Sequence, residues 1–165
     1  MSDSPKPSLL PIFGLILAVL ISPRLASAQL TEDSAIWAVI DVTSAINRAI
    51  EESKGGVELR EKVARRLSEC SLMYGVLFRL ASNTEAKKSY FQAQLSTLEV
   101  ESTIAQPLPL EKYNEIVDAA KKSVAKMSDV LKRHGEKDLV PFLRSCKSLN
   151  ELKEINNALR ELSLE

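Results

Sequence analysis

Histidine occurs once in the 165 residues, tryptophan once, cysteine twice and glycine five times. Each scarcity removes a chemistry. With His134 alone, the chain cannot assemble the multi-histidine or Glu-x-x-His sets that hold catalytic zinc or a di-iron centre in a helical bundle. A C-x-x-C-H haem attachment site is missing, and a non-covalent haem on His134 with Met73 or Met127 would hang at a helix end. Glycine is scarce outside turns, which leaves no phosphate-cradling P-loop and no dinucleotide fingerprint. No G-x-S-x-G elbow presents a nucleophilic serine. Charge excludes a further class: 22 basic residues balance 22 acidic ones without a like-charge tail, so nothing draws the chain electrostatically to nucleic acid. The expectation is a protein with no catalytic residue, no metal and no cofactor.

A long hydrophobic run is also lacking. The apolar stretch Leu9–Ile21 has about 13 residues, where a membrane-crossing helix needs about 20. It follows the polar start Met1–Lys6 and precedes Ser22-Pro23 and the small triplet Ala26-Ser27-Ala28. That layout is a secretory signal peptide over residues 1–28, which predicts a secreted or periplasmic protein with no stable membrane insertion after cleavage. Arg24 is atypical in a cleavage region, and the alternative is a membrane anchor formed by an uncleaved signal. Cleavage takes away Lys6, Arg24 and Asp3 and leaves the mature chain one negative charge from neutral. Residues 29–165 form a single domain, large enough to bury about two thirds of its unfolded surface.

What is present is helical periodicity. In Leu59–Ala81 the apolar residues Leu59, Val63, Leu67, Cys70, Tyr74, Leu77 and Ala81 step by four and then alternate three and four. This is the seam of an amphipathic helix roughly 35 Å long. Its counterpart is the row Tyr113, Val117, Ala120, Val124, Met127 and Leu131, closed by Gly135, and the two read as a central pair. An earlier helix starts at Thr31 or Asp33 and runs to about Ser53, with Ile36, Val39, Ile40, Val42, Ile46, Ala49 and Ile50 on its stripe and Trp37 beside it. Thr84 caps a helix to about Ala105, in which Phe91, Leu95, Leu98 and Ala105 form a row and Tyr90, Ala93, Val100 and Ile104 lie beside it. Pro107-Leu108-Pro109 stops it. Asp138 offers a cap for a short segment, Leu139–Cys146, with Pro141 in its first turn. Ser148 and Glu151 have capping-box spacing for a last helix reaching Leu162. The fold class is all-α: an antiparallel up-and-down bundle of four long helices plus one short helix.

Cys70 and Cys146 admit two readings. One is a disulfide closing a loop of about 77 residues, worth on the order of 4.5 kcal/mol in the chain-entropy model. The other is two separate buried thiols acting as small hydrophobes. His134, at a helix carboxyl end, suits a capping role. Acidic pairs such as Glu51-Glu52 and Glu99/Glu101, and basic pairs such as Arg65-Arg66, read as solvated helix faces. Tyr74, Phe78, Tyr90, Phe91 and Tyr113 are the candidate patch for a partner or a small apolar ligand.

The segment Glu69-Cys70-Ser71-Leu72-Met73-Tyr74-Gly75, after a signal peptide, resembles small exported all-helical bacterial proteins that carry an E-C-x-x-x-(Y/F) element in a central helix. The resemblance implies a periplasmic setting and no particular activity. The chain lacks the four or more cysteines of plant invertase and pectinesterase inhibitors, which are helical bundles of this size. The functional expectation is a non-enzymatic exported protein that acts through contacts with a protein partner. The alternative is a carrier of a small apolar ligand between the helices.

Overall fold

The computed structural model describes residues 38–164, all in helices and the short links between them. The leader and Trp37 lie outside the described residues. Helix α1 occupies residues 38–52. It is followed by α2 (Gly56–Leu80), α3 (Thr84–Ala105) and α4 (Leu110–His134). A 3₁₀ turn, Glu136–Leu139, leads into α5 (Val140–Leu149), and α6 (Ile155–Leu164) ends the described chain. Among the described residues there is no strand and there are six α-helices packed together.

Local chemistry explains where these helices stop. Between α1 and α2 the chain turns so tightly that a Cβ on Gly56 would stand 2.9 Å from the Ile50 carbonyl oxygen. The Ser53 hydroxyl donates to that same carbonyl. Asn83, rather than Thr84, caps α3: its side-chain oxygen accepts from the Ala86 N–H at 2.7 Å. Gly135 ends α4 at φ 77°, a left-handed conformation that costs glycine little, and its N–H is held by the Leu131 carbonyl. Pro141 lies in the first turn of α5, where its missing N–H is not needed, and no side chain, Asp138 included, caps that helix.

The carboxyl-terminal part differs from expectation. Ser148 is still inside α5, so the Ser148/Glu151 capping box does not form, and the Ser148 hydroxyl donates to Glu154 instead. Asn150 is the reason for the break. Its amide donates to the Thr97 hydroxyl at 3.1 Å and to the Cys146 carbonyl at 3.0 Å, which ties the α5–α6 junction to α3. The chain therefore carries two ten-residue helices here, the first running past Cys146 to Leu149 and the last starting only at Ile155 instead of at Ser148.

Helix α2 is the hub. It packs against α3, α4, α5 and α6, and its residues Leu59, Val63 and Leu67 share a core cluster with Val42, Ile46 and Ile50 of α1. Its partners on α3 run in reverse order. Arg60 reaches the Ile104 carbonyl, Ser68 meets Glu101, Gly75 touches Gln94 and Phe78 meets Phe91, so α2 and α3 are antiparallel. On α4 the order is direct, from the Glu61–Lys112 ion pair through Ala64 with Ile116 to Leu77 with Leu131. That helix lies chiefly along α2 and flanks it, so the central position belongs to α2 rather than to a pair. Every residue from Leu67 to Ser71 is buried, a run no one-sided amphipathic helix would show.

Two apolar rows change places on α3. Val100 and Ile104 are core residues, with Tyr90 and Ala93 half-buried against the core. The neighbouring row of Phe91, Leu95 and Leu98 is exposed, and on α1 so is Ile40. The spacing of either row suits a helix seam; which one turns inward is decided by where α1, α2 and α4 stand.

Candidate functional site

The Cys70–Cys146 disulfide is present, with the two Cα atoms 5.6 Å apart and both side chains fully buried. It staples the middle of α2 to α5 within the cluster that holds Met73, Leu77 and Val124. Arg66 strengthens the same junction, stacking over the Phe142 ring and donating to the Ser145 hydroxyl. Arg66 and Arg65 both pair with Glu69, which is itself buried. Arg66 is thus part of the α2–α5 packing, while Arg65 stays on the surface.

The five aromatic residues of the expected patch do not converge. Tyr74 is buried, and burial, with smaller contributions from Tyr90 and Glu151, holds its phenol above the ordinary tyrosine pKa. Tyr90 packs half-buried on the same cluster. Phe78 and Phe91 meet at 5.9 Å between ring centroids at the edge of the α2–α3 interface. Tyr113 stands apart, near Ala64, Ala105 and Ile116 at the start of α4. His134 is exposed in a last turn that also holds Lys132 and Arg133.

A polar cluster that the sequence reading placed on a solvated face lies inside. Glu101 is only 3% exposed, whereas Glu99 and Glu51-Glu52 are exposed as expected. The Glu101 carboxyl accepts from the Ser68 hydroxyl, from the Ser71 hydroxyl at 3.4 Å and from the Tyr113 hydroxyl at 3.0 Å. Burial foremost, and then the adjacent carboxyl, hold the Tyr113 phenol above its ordinary pKa. Serine beside a carboxyl invites a nucleophilic reading, but Ser68 is as buried as Glu101 and no imidazole stands between them. The cluster instead links α2, α3 and α4 through one group, with each buried hydroxyl given an acceptor. A weak signal was available: Thr97, Glu101 and Ala105 step by four on α3, and Ser68 and Ser71 step by three on α2.

What faces solvent is apolar. Phe91, Leu95 and Leu98 are 47%, 45% and 41% exposed and lie on one face of α3. One turn beyond Leu98, Ser102 and Ala105 line an open cleft of about 280 Å³ with Gln106, Leu108, Leu110 and Tyr113. The exposed row thus leads, by way of Ser102, to the mouth of this cleft. Among the described residues no group of three or more histidine, cysteine, aspartate or glutamate side chains converges as a metal site, and no helix is long and apolar enough to cross a membrane. No family model, curated protein or solved structure matches this chain.

Proposed function

We propose that this is an exported, non-enzymatic helical protein that works by presenting the outer face of α3 to a protein partner. The observation that carries the reading is the exposed row Phe91, Leu95 and Leu98. Large apolar side chains lined up on one helix face cost solubility unless something covers them, and they mark contact surfaces more often than chance. Export is supported by the leader-like residues 1–28, by the resemblance around Glu69–Tyr74 and by a buried disulfide, a bond that persists in oxidising compartments. The reversed order of contacts from α2 to α3 supports an up-and-down bundle for the whole mature chain. Carriage of an apolar ligand finds less support. Tyr74 is buried in packing, Tyr113 stands apart from the other aromatic residues, and the apolar cleft beside Tyr113 is open and smaller than the cavities of about 300–1,000 Å³ that enclose small molecules.

Cross-linking in the compartment of origin, with wild type and Leu95→Lys compared, tests the surface. The expected result is an adduct that the variant loses while its helix content stays the same. Equal adduct yields from both proteins, or turnover of a substrate, would overturn the reading. Intact mass tests export separately, through loss of residues 1–28; a full-length mass refutes cleavage.

A further inference from the structure

The outer row of α3 has an order that makes it complementary to itself. At 100° per residue, Phe91, Leu95 and Leu98 cover an arc of about 60°, centred about 130° from the buried Thr97. Their steps of four and three, carried on by the exposed Ser102, are the repeat of a two-helix seam. α3 thus carries two seams: an inner one through Ala93, Thr97, Val100 and Ile104 that serves the core, and an outer one, Phe91, Leu95 and Leu98, of which each side chain is more than 40% exposed. Lys88 and Glu99 stand on the same flank of the outer seam, about 20–40° beyond Leu95. Among the described residues neither side chain has an ion-pair partner.

We propose that the outer seam of α3 is a homodimer interface in which two copies of the chain pack antiparallel about a two-fold axis at Leu95. The proposal rests on reading this face as a contact surface and names the occupant. In that arrangement Leu95 meets its symmetry mate, and Phe91 of each copy lies against Leu98 of the other, so three apolar layers close without a gap. A two-fold axis keeps like flanks together, so Lys88 of one copy sits about 4.5 Å along the axis from Glu99 of the other, within reach of a lysine stem. A parallel pair brings opposite flanks together and would instead set Lys88 of one copy against Lys87 of the other. An anionic membrane surface fits less well, because Glu99 stands on the flank that a lipid headgroup layer would have to meet. The seam is short, about 10 Å from Phe91 to Leu98, so the interface falls below the roughly 800 Å² per partner of standard complexes and the dimer is weak and concentration-dependent.

Sedimentation equilibrium from about 1 µM to about 1 mM protein tests this. The wild-type chain is expected to pass from monomer to dimer within that range, and Leu95→Lys to raise the dissociation constant at least tenfold. Lys88→Glu and Glu99→Lys should each weaken association severalfold, and the two together should restore it, because swapping both charges recreates the pairs. All three positions are exposed, so circular dichroism should show unaltered helix content in each variant. A wild-type chain that stays monomeric throughout, a dimer indifferent to Leu95→Lys, or charge variants that do not recover in combination would each overturn the proposal. So would Leu95-dependent binding to vesicles containing phosphatidylserine by a protein that remains monomeric. A monomer whose cross-linking to another protein still depends on Leu95 would refute the dimer alone and leave the contact surface standing.

Discussion

Helices α2 and α4 have the same length and nearly the same apolar rhythm, yet they do different jobs. In α4 the rhythm tells most of the story: Ala120, Val124 and Leu131 of its row face inward, Ile116 is buried where the row has Val117, and Lys121, Lys122 and Lys126 face water. α2 has neighbours on several sides. Its seam is buried as spaced, but Ser68, Glu69 and Ser71 are buried too, each with a polar partner from α2, α3 or both. A regular stripe identifies one inward face. Whether the remaining faces are also covered depends on how many helices surround the one in question, and the stripe carries no information about that.

Deleting core volume should show the difference most strongly. Leu67→Ala, at a fully buried α2 position, is expected to cost about 3–5 kcal/mol, and Leu131→Ala, at the 9%-exposed α4 position, about 2–3 kcal/mol, both by urea unfolding. Equal losses would dissolve the contrast. Next comes the staple that only α2 carries. Replacing Cys70 and Cys146 together by alanine should cost about 2–4 kcal/mol, and reducing the wild-type protein should bring its unfolding midpoint to that of the variant.

The buried polar group is the third test. Glu101→Ala leaves the Ser68 and Tyr113 hydroxyls without their acceptor, while Ser71 keeps the Ser68 carbonyl, and should cost about 1–3 kcal/mol, whereas Glu115→Ala, on the exposed side of α4, should stay within about 0.5 kcal/mol. The same network has a pH signature. The raised phenol pKa of Tyr113 means the folded state prefers the protonated ring. Its contribution is therefore complete below the ordinary tyrosine pKa of 10.0 and is lost as pH rises through the higher folded value. An ultraviolet titration should show Glu101→Gln lowering the Tyr113 midpoint part of the way, since burial, the larger cause, remains. An unmoved midpoint would remove the carboxyl from the account.

Gly75→Ala is the smallest change. It relieves a helical glycine, worth up to about 1 kcal/mol, while its new Cβ displaces the flexible end of Gln94, 2.9 Å away. The net effect should lie within about 0.5 kcal/mol of zero. Gly56→Ala, which would meet the fixed carbonyl of Ile50, should clearly destabilise.

The sequence made much of this architecture legible. Helix ends at Gly135 and around Pro107–Pro109, the α2 seam and the first-turn proline of α5 follow from local chemistry, and they stand where that chemistry puts them. The choice between the two α3 rows does not follow from it. Phe91, Leu95 and Leu98 are larger and more apolar than Ala93 and Thr97, so intrinsic hydrophobicity favours the wrong row; tertiary neighbours reversed the preference. Glu101 escaped notice for a related reason. A carboxyl reads as surface until the hydroxyls that satisfy it are known to be within reach, and Ser68, Ser71 and Tyr113 come from two other helices. Of the five aromatic residues Tyr113 stands apart, because it belongs to the other end of α4 from the residues that meet Tyr74.

The link between Cys70 and Cys146 has a mechanical consequence. Any pull transmitted along the chain from α1 to α6 passes straight across that bond, and the 76-residue separation it closes drops out of the load path. About 250 Å of contour length is thereby shielded from extension. α3 and α4 lie wholly inside the shielded segment. A stretched molecule would lengthen only through its two outer arms until a reductant arrived, and would then release the hidden length.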